Sequence, residues 1–260
     1  MNRPEFHPDN HEALYDYYQH KEPSKRLMKS VVLASSLVYK PRLHFAAGAE
    51  SELAELKSRC ERFVFASAHY RISDQFAEFA AMRQSETLAA EAEHTFVIGK
   101  PSYATSRLLG RSFDAAGWVP AFRKQDYPKS PLARAEAAKS LFSVCTSKIV
   151  EGWNMLLFPE GTRNKGDPKV TQRIQGGIGR IASAVSKEGV GIAIIPIVPW
   201  WGDGEDSSQR RPDIFIGNPI EGPFTAKADA TAPLQAALED GVHQVSEINF
   251  EHLADKRVWL

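Results

Sequence analysis

The sequence predicts an α/β fold: a single domain over residues 41–260, with a mixed, largely parallel central sheet flanked by helices, preceded by an N-terminal helical arm over 1–40. Three observations predict it. Short apolar runs alternate along the chain with segments of helical periodicity, the pattern of strands joined through helices. Several of those runs stop abruptly in turn chemistry, which reads as buried strands. A chain of 260 residues, 43% of them hydrophobic, is long enough for one large α/β domain with a proper core.

The elements follow in order. Residues 1–23 are polar and aromatic, broken by Pro4, Pro8 and Pro23, and predict an irregular arm with one short helix over 12–20. Residues 24–38 place Lys25, Arg26 and Lys29 ahead of an apolar run from Val31; such a helix fits either a membrane surface or the outside of the domain. A first strand is expected over 42–46, a helix over 51–59 and an apolar strand over 63–66, which delivers the chain to a turn containing His69 and Asp74. A helix over 75–92, a strand over 94–98 closed by Gly99, a helix over 103–109 and a strand over 118–122 come next. The longest helical pattern, 132–152, leads into a strand that stops at Pro159. Beyond a Gly/Arg-rich piece over 173–182 come a helix to Lys187, a very apolar strand over 192–198, a turn at Trp200, Trp201 and Gly202, and an acidic loop. A strand over 213–217 and a final helix over 233–250 complete the chain.

Thirty-two basic and 32 acidic residues give a formal net charge of zero, so bulk electrostatics recruits neither nucleic acid nor anionic lipid, and any attraction must be local. Cys60 and Cys145 lack metal spacing and read as reduced structural thiols, which suits a cytosolic environment. The start of the chain lacks a basic region followed by an apolar stretch and does not read as a secretory signal. No run approaches the roughly 20 apolar residues that span a bilayer.

The chemistry concentrates in two turns. His69 and Asp74, five residues apart, would lie about 140° apart on a regular helix, so they meet only if the chain turns between strand and helix. A carboxylate on one ring nitrogen fixes the tautomer and makes the other nitrogen a better base toward a hydroxyl; the plainer reading is a histidine near a helix start with Asp74 an ordinary first-turn acid. The second turn carries Glu160, Gly161, Thr162 and Arg163 directly after an apolar strand, at the end where open α/β sheets place their ligands. There the plainer reading is a surface ion pair between Glu160 and Arg163. Gly117 leads through an apolar strand to Arg123, either a solvated strand end or, with Arg163 at a neighbouring strand end, half of a clamp for a phosphate dianion. Other motifs fail. Asp167 and Pro168 stand where a P-loop needs Lys and Ser/Thr, and the glycines at 177 and 179 lack a preceding strand and an acidic partner. No nucleophile elbow and no zinc-binding His-Glu-x-x-His occurs, and histidines 7, 11, 20, 44, 94, 243 and 252 show no ligand spacing.

This set of residues resembles the glycerolipid acyltransferase family, the phospholipid-synthesis enzymes typified by 1-acylglycerol-3-phosphate acyltransferase. The family's His-x4-Asp block is matched by His69 and Asp74. Its glycine followed six residues later by arginine is matched by Gly117 and Arg123, and its Phe-Pro-Glu-Gly-Thr-Arg block is matched in full over 158–163. Its proline-containing apolar strand is matched over 194–199. Order and spacing agree from about residue 43 to 220. The resemblance implies that His69 is general base on an acceptor hydroxyl, oriented by Asp74, and that this hydroxyl attacks the thioester of acyl-CoA or acyl carrier protein directly. It implies that Arg123 and Arg163 bind the acceptor's phosphate and that Glu160 shapes the motif turn and contacts substrate hydroxyls. Backbone N–H groups around Gly161 and Thr162 are expected to stabilise the oxyanion. The acceptor implied is a lysophospholipid such as 1-acylglycerol 3-phosphate, with another acceptor (a lyso-aminolipid, glycolipid or soluble alcohol) or thioester hydrolysis as alternatives. No cofactor beyond the acyl-donor substrate and no metal is implied. The expected location is cytoplasmic, peripheral on the inner face of the membrane, with residues 24–38 as the contact. The chain departs from the family pattern at Ala68, usually Asn; at Arg71, often Ser; and at Gln175, often Lys. All three changes fall on the acceptor side.

Overall fold

A computed structural model of the chain describes residues 3–59, 61–105, 110–202 and 211–257. After a 3₁₀ turn at Pro8–Asn10, the arm supplies α1 (His11–His20) and α2 (Lys25–Val38). Then follow β1 (Arg42–Phe45), α3 (Ala49–Ser58), β2 (Arg62–Ser67), α4 (Asp74–Met82), α5 (Ala89–Glu93), β3 (Thr95–Gly99), α6 (Pro101–Ala104), α7 (Gly110–Ala115) and β4 (Trp118–Pro120). The second half comprises α8 (Pro131–Val150), β5 (Asn154–Leu157), α9 (Gly177–Lys187), β6 (Ile192–Trp200), β7 (Asp213–Ile216), β8 (Ile220–Glu221) and α10 (Lys227–Arg257).

The strand order is β1-β7-β6-β2-β5-β3-β4, with β8 on the start of β6. Strands β6, β2, β5, β3 and β4 are mutually parallel, while β7 runs antiparallel to β6 and pairs in parallel with β1. The carboxyl ends of five strands therefore share one edge of the sheet, where the βα turns of an open α/β fold meet. Burial explains why these strands read as continuous apolar runs: along β2, Val64 and Ala66 enter one core while Phe63 and Phe65 enter the other. The first core packs under α1, α8, α9 and α10, the second under α2, α3, α4 and α5. The arm's α1 joins the first core through Leu14, Tyr15, Tyr17 and Tyr18. Tyr15 Oη donates to the Pro120 carbonyl (2.7 Å) and Tyr18 Oη to Asp114 (2.6 Å). Helix α2, capped by Ser24 Oγ, buries Met28 and Val32 and leaves Leu33, Leu37 and Val38 exposed.

Four expectations are corrected. The helix expected over 75–92 is two helices, because the Ser85 side chain receives the Leu88 N–H and donates to Glu50, starting α5 afresh. The helix expected to start at 103 begins instead at Pro101, as α6, and stops at Ala104; the 106–109 part of the expected helix, Cys60, the His252 side chain and most of the acidic loop lie outside the described residues. The strand expected to run to 122 stops at Pro120, after which the Asp126 and Tyr127 N–H groups turn back to the Arg123 carbonyl. The last helix begins at Lys227 and contains Pro233 instead of starting there. Asp229 accepts the N–H groups of Thr225 and Ala226 and the Thr225 hydroxyl, which fixes the helix start upstream of the proline. Among the described residues, no helix is long and apolar enough to cross a membrane, and Cys145 is a buried free thiol.

Candidate active site

The two sequence motifs meet at the carboxyl edge of the sheet. Past Ser67 the chain turns before α4 begins at Asp74, so the five-residue separation that no helix could bridge is closed by the turn. His69 Nδ1 lies 3.0 Å from Asp74 Oδ2. The same oxygen receives the N–H groups of Tyr70 and Arg71, both at 2.7 Å, and Asp74 Oδ1 receives the Trp201 indole N–H at 2.8 Å. Asp74 is fully buried, so these four donors carry the whole task of compensating its charge. Because a carboxylate only accepts, Nδ1 is the donor and Nε2 holds the free lone pair.

The Phe-Pro-Glu-Gly-Thr-Arg turn follows β5 and locks onto this turn. The Phe158 ring stacks on the His69 imidazole at 4.0 Å between centroids and 24° between planes. The Asn164 N–H donates to the His69 carbonyl at 2.6 Å, and the Tyr70 hydroxyl to the Pro168 carbonyl at 3.1 Å. Gly161 sits at φ +73°, a left-handed conformation that strains any residue with a Cβ. Gln175, at the position where the family often carries lysine, ties the turn down: its N–H donates to the Pro159 carbonyl (2.7 Å) and its side-chain amide to the Glu160 carbonyl (3.2 Å).

Glu160 is 3% exposed and makes no ion pair with Arg163, so the surface-pair reading is set aside. Neither of its buried oxygens meets hydrogen-bond geometry with a partner. Burial pushes its carboxyl up to about 8, the nearby Asp74 charge adds to the rise, and the N–H groups of His69 and Gln172 offset only part of it. Glu78, one helical turn beyond Asp74, is also fully buried and raised well above the carboxylate range, by burial first and then by Asp74; it accepts the Ser67 hydroxyl at 2.6 Å. Of three clustered carboxyl groups, Asp74 takes nearly all the donors.

In front of His69 lies a cavity of about 390 Å³, with Lys100, Arg123, Phe158, Gly161 and Arg163 on its wall and Ile72 at its edge. Arg163 makes no ion pair among the described residues. Arg123 differs from the simple clamp: its guanidinium holds Asp126 through two bonds, 2.7 and 3.2 Å, and Lys100 approaches the same carboxylate at 3.3 Å. Burial raises Asp126, but the Arg123 hydrogen bonds and charge, helped by Lys100, outweigh it and hold the group below the usual carboxylate range. Three cations therefore line the cavity, and two of them, Lys100 and Arg123, are held by Asp126. Arg123 and Arg163 follow strands that are not neighbours; β3 lies between β4 and β5. The Gly161 N–H is taken by the Phe158 carbonyl at 3.0 Å, which removes it as an oxyanion donor, and the Thr162 side chain points to solvent. Glu160 lies beneath the turn and does not line the cavity.

Two residues escaped the sequence reading. Lys100 follows the glycine that closes β3, a signal available in principle once β3 is placed between β4 and β5. Trp201 looked like part of a turn; in the register of β6 on β2, Ile197 stands opposite Ser67, which carries Trp201 level with the His69–Asp74 turn. The Arg71 guanidinium covers its ring at 4.5 Å, and Tyr39 packs against it edge-on. Among the described residues, no group of three or more His, Cys, Asp or Glu side chains is placed to hold a metal ion.

Compared with family models, residues 49–200 match the model described as Acyltransferase. That span contains both motif turns, Arg123 and all five parallel strands. Comparison with curated proteins finds no match.

The buried Glu160 sets a pH signature on stability. A carboxyl protonated in the folded chain to about 8 but ionised from about 4.3 when unfolded contributes stability at low pH that is lost as pH rises through that window. Urea unfolding of wild type and Glu160→Gln across this range is expected to show wild type losing stability relative to the variant as pH rises; parallel curves would mean that Glu160 is not held neutral.

Proposed function

The chain belongs to the acyltransferase family, and from that premise we propose that it moves a fatty acyl group from a thioester, of coenzyme A or acyl carrier protein, to the hydroxyl of a lysophospholipid such as 1-acylglycerol 3-phosphate. The observation that carries this reading is the cavity itself, which has His69, backed by Asp74, on one wall and Lys100, Arg123 and Arg163 on the others. A base and a wall with three cations, of which Arg163 makes no ion pair among the described residues and Lys100 and Arg123 share Asp126, suit an acceptor that has both a hydroxyl and a phosphate.

In this reading His69 Nε2 takes the proton of the acceptor hydroxyl as its oxygen bonds to the thioester carbonyl carbon. Asp74 holds the ring in the productive tautomer and stabilises the imidazolium that forms, while Phe158 fixes the ring plane. The tetrahedral intermediate collapses by breaking the carbon–sulfur bond, and the imidazolium returns its proton to the leaving thiolate. The Thr162 N–H, without a partner among the described residues, is a backbone donor of the motif turn for the oxyanion. Glu160, neutral and buried, shapes the turn from below. Arg71, the departure that raised other acceptors, is stacked on Trp201 and does not line the cavity, which favours keeping the phosphate-bearing acceptor.

The apolar edge beside the cavity fits a lipid acceptor. Exposed Leu33, Leu37 and Val38 close α2, and Tyr39 directly after them packs against Trp201, next to the His69 turn and exposed Ile72. Docked by this edge on a membrane, the cavity would face a lysophospholipid at the interface.

Free-thiol release from acyl-CoA and from acyl carrier protein thioester is expected to depend on a lysophospholipid acceptor; release without acceptor would indicate a hydrolase, and no acceptor-dependent release from either donor would overturn the reading. His69→Ala should lower turnover by about 10²–10⁴ with an unchanged circular dichroism spectrum. Arg163→Ala should mainly raise KM for a phosphate-bearing acceptor, by about tenfold or more, since a charge-assisted bond contributes about 1.5–3 kcal/mol; an unchanged KM would remove Arg163 from the phosphate site.

A further inference from the structure

Two tryptophans stand side by side at the end of β6 and enter opposite cores. Trp200 joins the first core, where its buried indole N–H has no hydrogen-bond partner among the described residues. Trp201 joins the second and aims its indole N–H at Asp74 Oδ1, 2.8 Å away. Packing alone accounts for Trp200, whereas Trp201 adds a directed polar contact to the residue that holds the general base. Gly202 follows at φ +87°, which turns the chain away directly after the indole.

Two residues fix the plane of that indole. The Arg71 guanidinium lies over its ring at 4.5 Å, while the Arg71 backbone N–H donates to Asp74 Oδ2 at 2.7 Å. Tyr39, directly after α2, packs against it edge-on, with 6.2 Å between ring centroids. A cation on the ring face draws electron density from the indole and makes its N–H a stronger donor, the mutual polarisation expected of chained contacts at low dielectric. Arg71 is a position at which the chain departs from the family pattern, and it does not line the cavity. Its place on the indole gives the departure a use.

We propose that Trp201 is a positioning residue for the reaction: its indole N–H, with Arg71 on the ring face, anchors Asp74 and so sets how strongly the His69 ring holds a proton. The inference rests on the acyl-transfer reading only for the rate that this basicity controls. The N–H dipole presents its positive end to Asp74. Removing it makes the surroundings of His69 more negative, so the ring takes up its second proton at higher pH.

The other groups around the ring stay in place when the indole N–H is removed. Glu78 on α4 and Glu160 in the motif turn lie near Asp74, and burial first and then Asp74 hold both up. Lys100, Arg123 and Arg163 line the cavity in front, with Asp126 on the first two. Tyr70, beside His69 in its own turn, is raised by burial first and then by Glu160, Asp74 and Asp167, and its hydroxyl is turned to the Pro168 carbonyl.

The test is a nitrogen-15 magnetic resonance titration of the His69 ring, without substrate, in the full wild-type chain and in Trp201→Phe, which keeps a ring for Arg71 and Tyr39 but has no N–H. The midpoint is expected to rise in the variant by about half a unit or more. The acid limb of kcat/KM against pH should move up with it, and kcat should fall by about tenfold, part of what a general base contributes. KM should stay within about twofold, because Trp201 does not line the cavity. A purely structural tryptophan would cost stability and leave the midpoint where it is, so a folded variant with an unmoved midpoint overturns the assignment. A wild-type measurement serves if the variant does not fold: the Trp201 indole N–H resonance should move with the His69 titration, and one that stays flat overturns the assignment equally. If the midpoint rises in the variant while wild type transfers no acyl group, the role of Trp201 stands and the acyl-transfer reading fails.

Discussion

A single buried carboxylate organises this site. Asp74 has no solvent contact and draws its four hydrogen bonds from the His69 ring, two successive backbone N–H groups and the indole of Trp201, a residue 127 positions away. Removing any one donor would leave a buried charge partly uncompensated, at a cost of about 1–3 kcal/mol or more. The turn after β2, the start of α4 and the end of β6 are thus fixed relative to one another by the requirement to satisfy one anion. The Phe158 stack and the bond from Asn164 to the His69 carbonyl then attach the end of β5 to the same point.

The electrostatics around Asp74 follow from the same constraint. Glu78 and Glu160 are buried within reach of its charge, and both are held up, by burial first and by Asp74 second. With these two carboxyl groups held up, Asp74 is the charge behind His69, and Asp126 pairs with two of the cations in front of it. The outcome is a field directed from Lys100, Arg123 and Arg163 through the imidazole toward Asp74, the direction in which a proton moving off an acceptor hydroxyl onto His69 would travel.

Much of this was legible in the residues. Apolar runs ending in turn chemistry located most of the strands, and the two motif turns identified the residues that meet, because a histidine and an aspartate five apart can pair only across a turn. What escaped depends on tertiary registration. Trp201 reaches Asp74 through the alignment of β6 on β2, and Lys100 joins the cationic wall because β3 lies between β4 and β5; neither alignment is written in a local window. Arg123 looked like a free phosphate ligand because its engagement with Asp126 is a matter of loop geometry. Whether Glu160 is half of a surface pair or a turn-shaping, substrate-contacting residue stays open in the sequence, because a motif turn does not announce which of its charged residues is buried. The 75–92 reading is over-extended because Ser85 interrupts the run: its hydroxyl takes the Leu88 N–H and donates to Glu50 on α3, a contact no local window shows.

The claim on which the rest depends is that Asp74 holds His69 with its proton on Nδ1 and its lone pair on Nε2, facing the cavity. Nitrogen-15 magnetic resonance of the His69 ring, at a pH where the ring is neutral, reads this directly. The account predicts a protonated Nδ1 and an unprotonated Nε2 in the wild-type chain, with that preference lost in Asp74→Asn. A wild-type ring protonated on Nε2, or one unaffected by Asp74→Asn, would contradict it.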